Sequence, residues 1–205
     1  MYDVHPIVKV LMNKLIAHID KNVALVTKTA KLTNNSCHYI FHGQVANNLG
    51  QSVLSDFFVV SLNLNGSLIS KPIPLDDFIL KNKLNEMLYN QTITDEELRA
   101  LKNSLKDAVS YAYSMYMDDR QALVQDEMLR KADEYEAHVI KWHKQSEDQI
   151  NLKYETNTLN IFVKNAKERN LKEIQTILDE KSQYFKNMAS LDQKAFLRLL
   201  AVFFN

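Results

Sequence analysis

Six histidines are the residues best able to bind a metal ion or move a proton near neutral pH, so their spacing is a first test for chemistry. His38 and His42 sit in SCHYIFHGQVAN, residues 36–47, a run whose aromatic and β-branched content favours a strand. At about 3.3 Å per residue they share a strand face but stand roughly 13 Å apart, too far to hold one ion together. His138 and His143 diverge by about 140° on a helix. Glu134 and His138 can meet at i, i+4, but two ligands without a third make no site. Carboxylates at Glu96, Glu97, Asp118, Asp119, Asp126, Glu127, Glu134 and Glu136 fall in helical stretches. Lysines follow at i, i+4, as in Glu127–Lys131 and Glu168–Lys172, the pattern of a solvated helix face. Ser, His and Asp occur in no recognisable nucleophile motif. The three glycines, Gly43, Gly50 and Gly66, are isolated, so no phosphate-cradling loop of the Walker or dinucleotide kind is present. This reading predicts a chain that is not itself an enzyme, with no catalytic residue, cofactor or metal site.

One segment suggests contact with another molecule. SYAYSMYMDD, residues 110–119, concentrates Tyr and Met, side chains favoured at protein–protein contacts. If Ala108, Ala112 and Met115 face a helical neighbour, Tyr113 and Met117 fall one turn apart on another face. They are the candidate partner-binding residues. The competing expectation is that this helix also packs on a sheet, which would make them core. Trp142 lies on the apolar stripe and is expected to be packed.

The elements that must position these residues follow from periodicity. His5-Pro6 opens a helix with Ile7, Leu11, Leu15 and Ile19 on one face. Residues 23–32, 36–47 and 53–66 change to strand character, with Asn65-Gly66 as a hairpin turn leading to a short strand at 67–70. That pattern predicts an antiparallel meander, stopped by Pro72 and Pro74. A helix is expected over 75–89. Thr94 with Glu97 three residues on forms a capping box for the next helix. The helical pattern then runs from Asp95 to Tyr154 without Gly or Pro, a rod of about 90 Å if unbroken, with Asp118–Arg120 as the expected bend. A second helix, 158–188, would return antiparallel to it. The chain closes with KAFLRLLAVFFN, in which nine of the last eleven residues are apolar. A run apolar on both faces needs cover on both, so it is expected to be a strand inserted into the early sheet.

The fold class is therefore α+β: an antiparallel sheet of three to five strands with helices, plus a long antiparallel helical hairpin. The expected division is a sheet body, 1–93 with 190–205, and a coiled-coil-like arm, 94–189. Net charge is zero, so no overall field draws the chain to nucleic acid or an anionic membrane. Single Cys37 excludes an internal disulfide and suits a reducing, cytoplasmic compartment.

The HPIVKVLMNKLI opening, the strand meander, the KPIPLDDF exit, the long charged helices and the closing SLDQKAFLRLLAVFFN resemble the C-terminal region of bacterial Swi/Snf-type helicases, the RapA-like RNA-polymerase-associated remodelling ATPases. The resemblance implies a motor upstream on a longer protein, with ATP-driven translocation on duplex nucleic acid residing there. It implies that this region is a non-catalytic accessory domain, docking on its own motor or on RNA polymerase and meeting nucleic acid only through the parent. The alternative is a free-standing adaptor whose helical hairpin binds another protein or itself.

Overall fold

The structure, a computed structural model, describes residues 24–30, 32–82, 91–155, 161–192 and 194–205. The helix expected from His5-Pro6 and the stretch 83–90 lie outside the described residues. Five strands, β1 (Leu25–Lys28), β2 (Ser36–Ala46), β3 (Ser52–Asn63), β4 (Leu68–Pro74) and β5 (Phe196–Phe204), form one sheet in the order β1-β5-β2-β3-β4. The helices are α1 (Leu75–Asn82), α2 (Asp95–Ala112), α3 (Asp118–Tyr154) and α4 (Ile161–Ala189), with a π-helical turn, Tyr113–Met117, between α2 and α3.

The apolar C-terminal run is the strand its composition demands. β5 pairs antiparallel with β2, from Cys37↔Phe204 to Gln44↔Phe196, and parallel with β1, from Leu25↔Ala201 to Lys28↔Phe204. It separates β1 from β2, so the early strands are not the simple meander that their order suggests. Asn205 finishes the strand with its N–H donating to the Ser36 carbonyl at 3.1 Å and its side-chain amide to the Leu32 carbonyl at 2.7 Å. A bulge at Leu200, between the pairs Ile40↔Ala201 and Phe41↔Leu199, turns Leu200 and Ala201 onto the same face. Both join Ile40, Val59 and the α1 residues Leu75 and Phe78 in one core cluster. Pro72 and Pro74 do not stop the sheet. β4 runs through both, with Pro74 opposite Phe58, because an edge strand can spare a backbone donor.

The chain divides into two compact units. One comprises 1–45, 54–121 and 194–205; the other comprises 46–53 and 122–193. α2 therefore belongs with the sheet and not with the arm to which the sequence reading assigned it. The reason is its buried face, Leu101, Ser104, Ala108 and Ala112. Tyr39 of β2 donates its hydroxyl to the Leu101 carbonyl at 2.8 Å and lies 2.7 Å from Ser104 Oγ. The capping box at its start is formed as expected: Glu97 N–H donates to Thr94 Oγ1, and Thr94 N–H donates to the Glu97 carboxylate at 2.9 Å.

In the second unit α3 and α4 run antiparallel. Gln125 Nε2 donates to the Ala189 carbonyl at 2.7 Å, the Tyr135 and Phe185 rings stack at 5.5 Å, and Asn170 Nδ2 donates to Tyr154 Oη at 3.0 Å. The β2–β3 turn finishes the C-terminus of α4. Buried Asn47 donates to the Met188 carbonyl, and Asn48 N–H donates to the Ser190 carbonyl at 2.9 Å. These satisfy carbonyls that a helix end leaves without intrahelical donors.

Candidate docking surface

The segment 110–119 does not present the face that an unbroken α-helix would. Residues 113–117 form a π turn, which places one extra residue in the turn and moves later side chains about 100° around the axis. After the buried series Leu101, Ser104, Ala108, Ala112, an α-helix would bring Met115 and Asp119 to the sheet. The π turn brings Tyr116 and Met117 instead, and leaves Met115 exposed. Met117 is completely buried, against Gly43 of β2 and near Phe58. Its reading as a partner-binding residue is corrected: it is core. Tyr113 is half-buried, and its hydroxyl donates to the Ala195 carbonyl at 3.1 Å. The π turn directly precedes Asp118–Arg120, the interruption of the apolar stripe in the sequence, and Arg120 reaches Asp56 of β3.

Tyr116 stacks on Phe58 with centroids 4.1 Å apart and donates to Asp56 Oδ2 at 3.3 Å, while Arg120 Nε lies 3.1 Å from the same oxygen. Burial raises the Tyr116 hydroxyl pKa, and the neighbouring Asp56 charge pushes it the same way. The phenol therefore stays protonated as a donor. Asp56 is satisfied from two sides, so the trio pins the π turn to β3.

The opposite face of β3 carries the nearest approach to a nucleophile–base pair. His42 Nε2 lies 2.9 Å from Ser55 Oγ, and the ring stacks on Phe57 at 4.7 Å. Burial first, then the Arg198 charge, lowers the His42 pKa, so the ring is neutral at pH 7. An activated serine needs its base oriented by a third group. Asp56 is next to Ser55 in sequence and so projects from the other face of the strand, where Tyr116 and Arg120 hold it. Asp56 therefore does not complete a triad with this pair, and His42–Ser55 is a cross-strand hydrogen bond. Among the described residues no three His, Cys, Asp or Glu side chains are placed to hold a metal ion. Cys37 is fully buried in β2 as a small apolar residue, and burial raises its pKa.

Exposed apolar side chains concentrate on α3 and α4. These helices are 37 and 29 residues long, yet the residues they bury fully are alanines, Ala132 and Ala189. Leu129 and Ile140, eleven residues apart and so aligned along α3, are 46% and 53% exposed. Tyr135 and Trp142 line up two turns apart on another flank. Trp142, expected to be packed, is exposed, because the seam between the helices passes beside it. Periodicity located the apolar stripe but could not separate a two-helix seam from its flanks.

No protein-family model matches this chain, and neither a curated protein nor a solved structure matches it. No helix among the described residues is long and apolar enough to cross a membrane.

Proposed function

We propose that the chain is a non-catalytic docking module: the C-terminal accessory domain of a helicase-like, ATP-dependent nucleic-acid translocase of the bacterial Swi/Snf type, acting in the cytoplasm. The observation that carries the docking reading is the pair of long helices whose buried residues are alanines, Ala132 and Ala189, and which leave Leu129 and Ile140 about half exposed. Together with the other exposed apolar side chains of these helices, Leu123, Leu152 and Phe162 among them, they are surface available for a protein contact. The resemblance described above supports the choice of the motor as partner, with RNA polymerase the other candidate. The chain's own role is to bind and to set the motor's activity; ATP chemistry and nucleic-acid contact belong to the parent.

The test is to add the purified chain to a RapA-like motor lacking its C-terminal region and to measure ATP hydrolysis with and without duplex DNA. A change of threefold or more in rate, lost in the Leu129→Ser, Ile140→Ser variant, is the expected result. An unchanged rate at saturating chain, together with no association by sedimentation, refutes the assignment. The alternative, a free-standing helical-hairpin adaptor or oligomerisation protein, draws on a different observation, the aromatic flank of the same helices.

A further inference from the structure

The turn between β3 and β4 carries chemistry separate from any docking surface. Asn65 is the one asparagine in the chain followed by glycine, and its side chain is held in a fixed pose. Asn65 Oδ1 accepts from Ser67 N–H at 3.0 Å and from the Ser67 hydroxyl at 2.6 Å. A backbone N–H can face only the oxygen of the amide, so the orientation of the Asn65 side chain is settled. Asn63 Nδ2 donates to Ser67 Oγ at 2.9 Å, which leaves the hydroxyl proton for Asn65 and polarises it. The bond from Asn65 Oδ1 to the N–H two residues on closes an Asx turn, a short ring that folds the side-chain carbon Cγ over the Gly66 nitrogen. Gly66, at φ +87°, has no side chain to obstruct that approach; a Cβ there would meet the Asp107 carboxylate. Asn65 and Ser67 are both exposed, so water reaches the group.

We propose that Asn65 is a self-modification site, deamidated by attack of the Gly66 backbone nitrogen on Asn65 Cγ, and that the turn supplies the donors that stabilise this attack. The N–Cγ bond forms as the Cγ–Nδ2 bond breaks, and the Gly66 proton leaves with Nδ2 as ammonia. Water then opens the five-membered imide at either carbonyl, with no change of oxidation state. Opening at Cγ gives aspartate. Opening at the main-chain carbon gives isoaspartate, in which the backbone runs through Cβ. During the addition negative charge develops on Oδ1, the atom that already receives two donors. They stand as an oxyanion hole does, in place before the charge appears, and so lower the barrier. The Gly66 N–H donates to the Asn63 carbonyl at 2.8 Å, a bond given up as the nitrogen turns to Cγ. The product adds one negative charge to a chain of net charge zero, in a turn that faces Asp107 of α2. The isoaspartyl form also lengthens the turn by one main-chain carbon, which loosens the bonds from Asn63 N–H to the Ser67 carbonyl and from Leu64 N–H to the Asn35 carbonyl. The site is a slow, one-way change at the tip of the β3–β4 hairpin.

The full chain is held for days at mildly alkaline pH, folded or in urea, and mapped by mass spectrometry that resolves aspartate from isoaspartate. In the folded chain Asn65 should convert faster than every other asparagine, including Asn35 and Asn103, each followed by serine. An acidic band should grow in isoelectric focusing at the same rate. Ser67→Ala removes one of the two donors to Oδ1 and should slow conversion in the folded chain about tenfold, with unchanged far-ultraviolet dichroism. Ser67→Thr keeps both donors and should keep the rate. In urea, where the turn is gone, Ser67→Ala should leave the rate unchanged. An Asn65 amide that survives in the folded chain but converts in urea overturns the proposal, because the turn would then protect it. A folded rate indifferent to Ser67→Ala also overturns it, leaving the Asn-Gly dipeptide alone as the cause. The motor ATPase assay is read separately, so either proposal can fail while the other stands.

Discussion

Acidification should destabilise the sheet unit through one buried imidazole. His38 is 6% exposed, with Nδ1 2.8 Å from Ser61 Oγ and Nε2 3.1 Å from Ser36 Oγ, and its ring lies 4.9 Å from Phe78. Ser36 Oγ already donates to the Thr33 carbonyl at 2.6 Å, so toward His38 it accepts. That places the proton of the neutral ring on Nε2 and leaves Nδ1 to accept from Ser61. A second proton on Nδ1 would force the Ser61 hydroxyl to turn away and would put a charge beside Phe78 in the core. Burial accordingly lowers the His38 pKa from 6.5 to about 4. The sign follows from linkage: between these values the unfolded chain binds a proton that the folded chain refuses, so stability rises with pH. The contribution is complete above about pH 6.5 and is lost as pH falls toward 4. At about 1.36 kcal/mol per pH unit it amounts to roughly 3 kcal/mol in all. Urea unfolding of the wild-type chain and of His38→Gln at intervals from pH 7.5 to 4 measures it. The wild type should lose roughly 3 kcal/mol more than the variant across the window. Parallel stability profiles, or a His38 NMR titration centred near pH 6.5, would refute the reasoning.

Two further outcomes test the fold around the candidate surface. Met117→Ala removes a fully buried side chain and should cost about 2–5 kcal/mol by denaturant unfolding; a contact-surface residue would cost almost nothing. Gly43→Ala aims a methyl at the Met117 thioether. It should therefore destabilise the wild type more than the Met117→Ala background, where only the Phe58 ring, 3.1 Å from the new methyl, still crowds it, a non-additive pair in a double-mutant cycle. Deleting 196–205 removes β5 from between β1 and β2, exposing the β2 edge and both core faces. The truncated chain should aggregate or lose its unfolding transition, and retention of the wild-type melting temperature would contradict the central placement of this strand.

Much of the architecture was legible because local rules and tertiary demands agreed. The Asn65-Gly66 turn, the Thr94–Glu97 cap and the doubly apolar tail each admit few conformations, and the structure realises all three; the run at 53–63 is a strand as expected, with Phe58–Leu62 buried on both faces. Where the two disagreed, the tertiary term prevailed. Pro72 and Pro74 read as breakers because the sequence could not show that β4 would be an edge. The β2–β3 turn carried no sign that Asn47 would finish the far end of α4, a bond spanning 141 positions.

From composition and periodicity alone came the α+β class, the two long charged helices, the terminal strand and the absence of a phosphate loop, since each depends on interactions within a few residues of chain. Only the tertiary structure decided which side of residues 113–117 faces inward. A π turn has no strong local signature: it persists because Phe58, Asp56 and Gly43, brought close by the sheet, accept Tyr116, Arg120 and Met117, whereas the regular helix would turn Asp119 inward in their place. Which helix positions form a seam and which remain as flanks was likewise settled by where the antiparallel partner lay, because hydrophobic spacing records an apolar stripe but not the width of the neighbour that covers it.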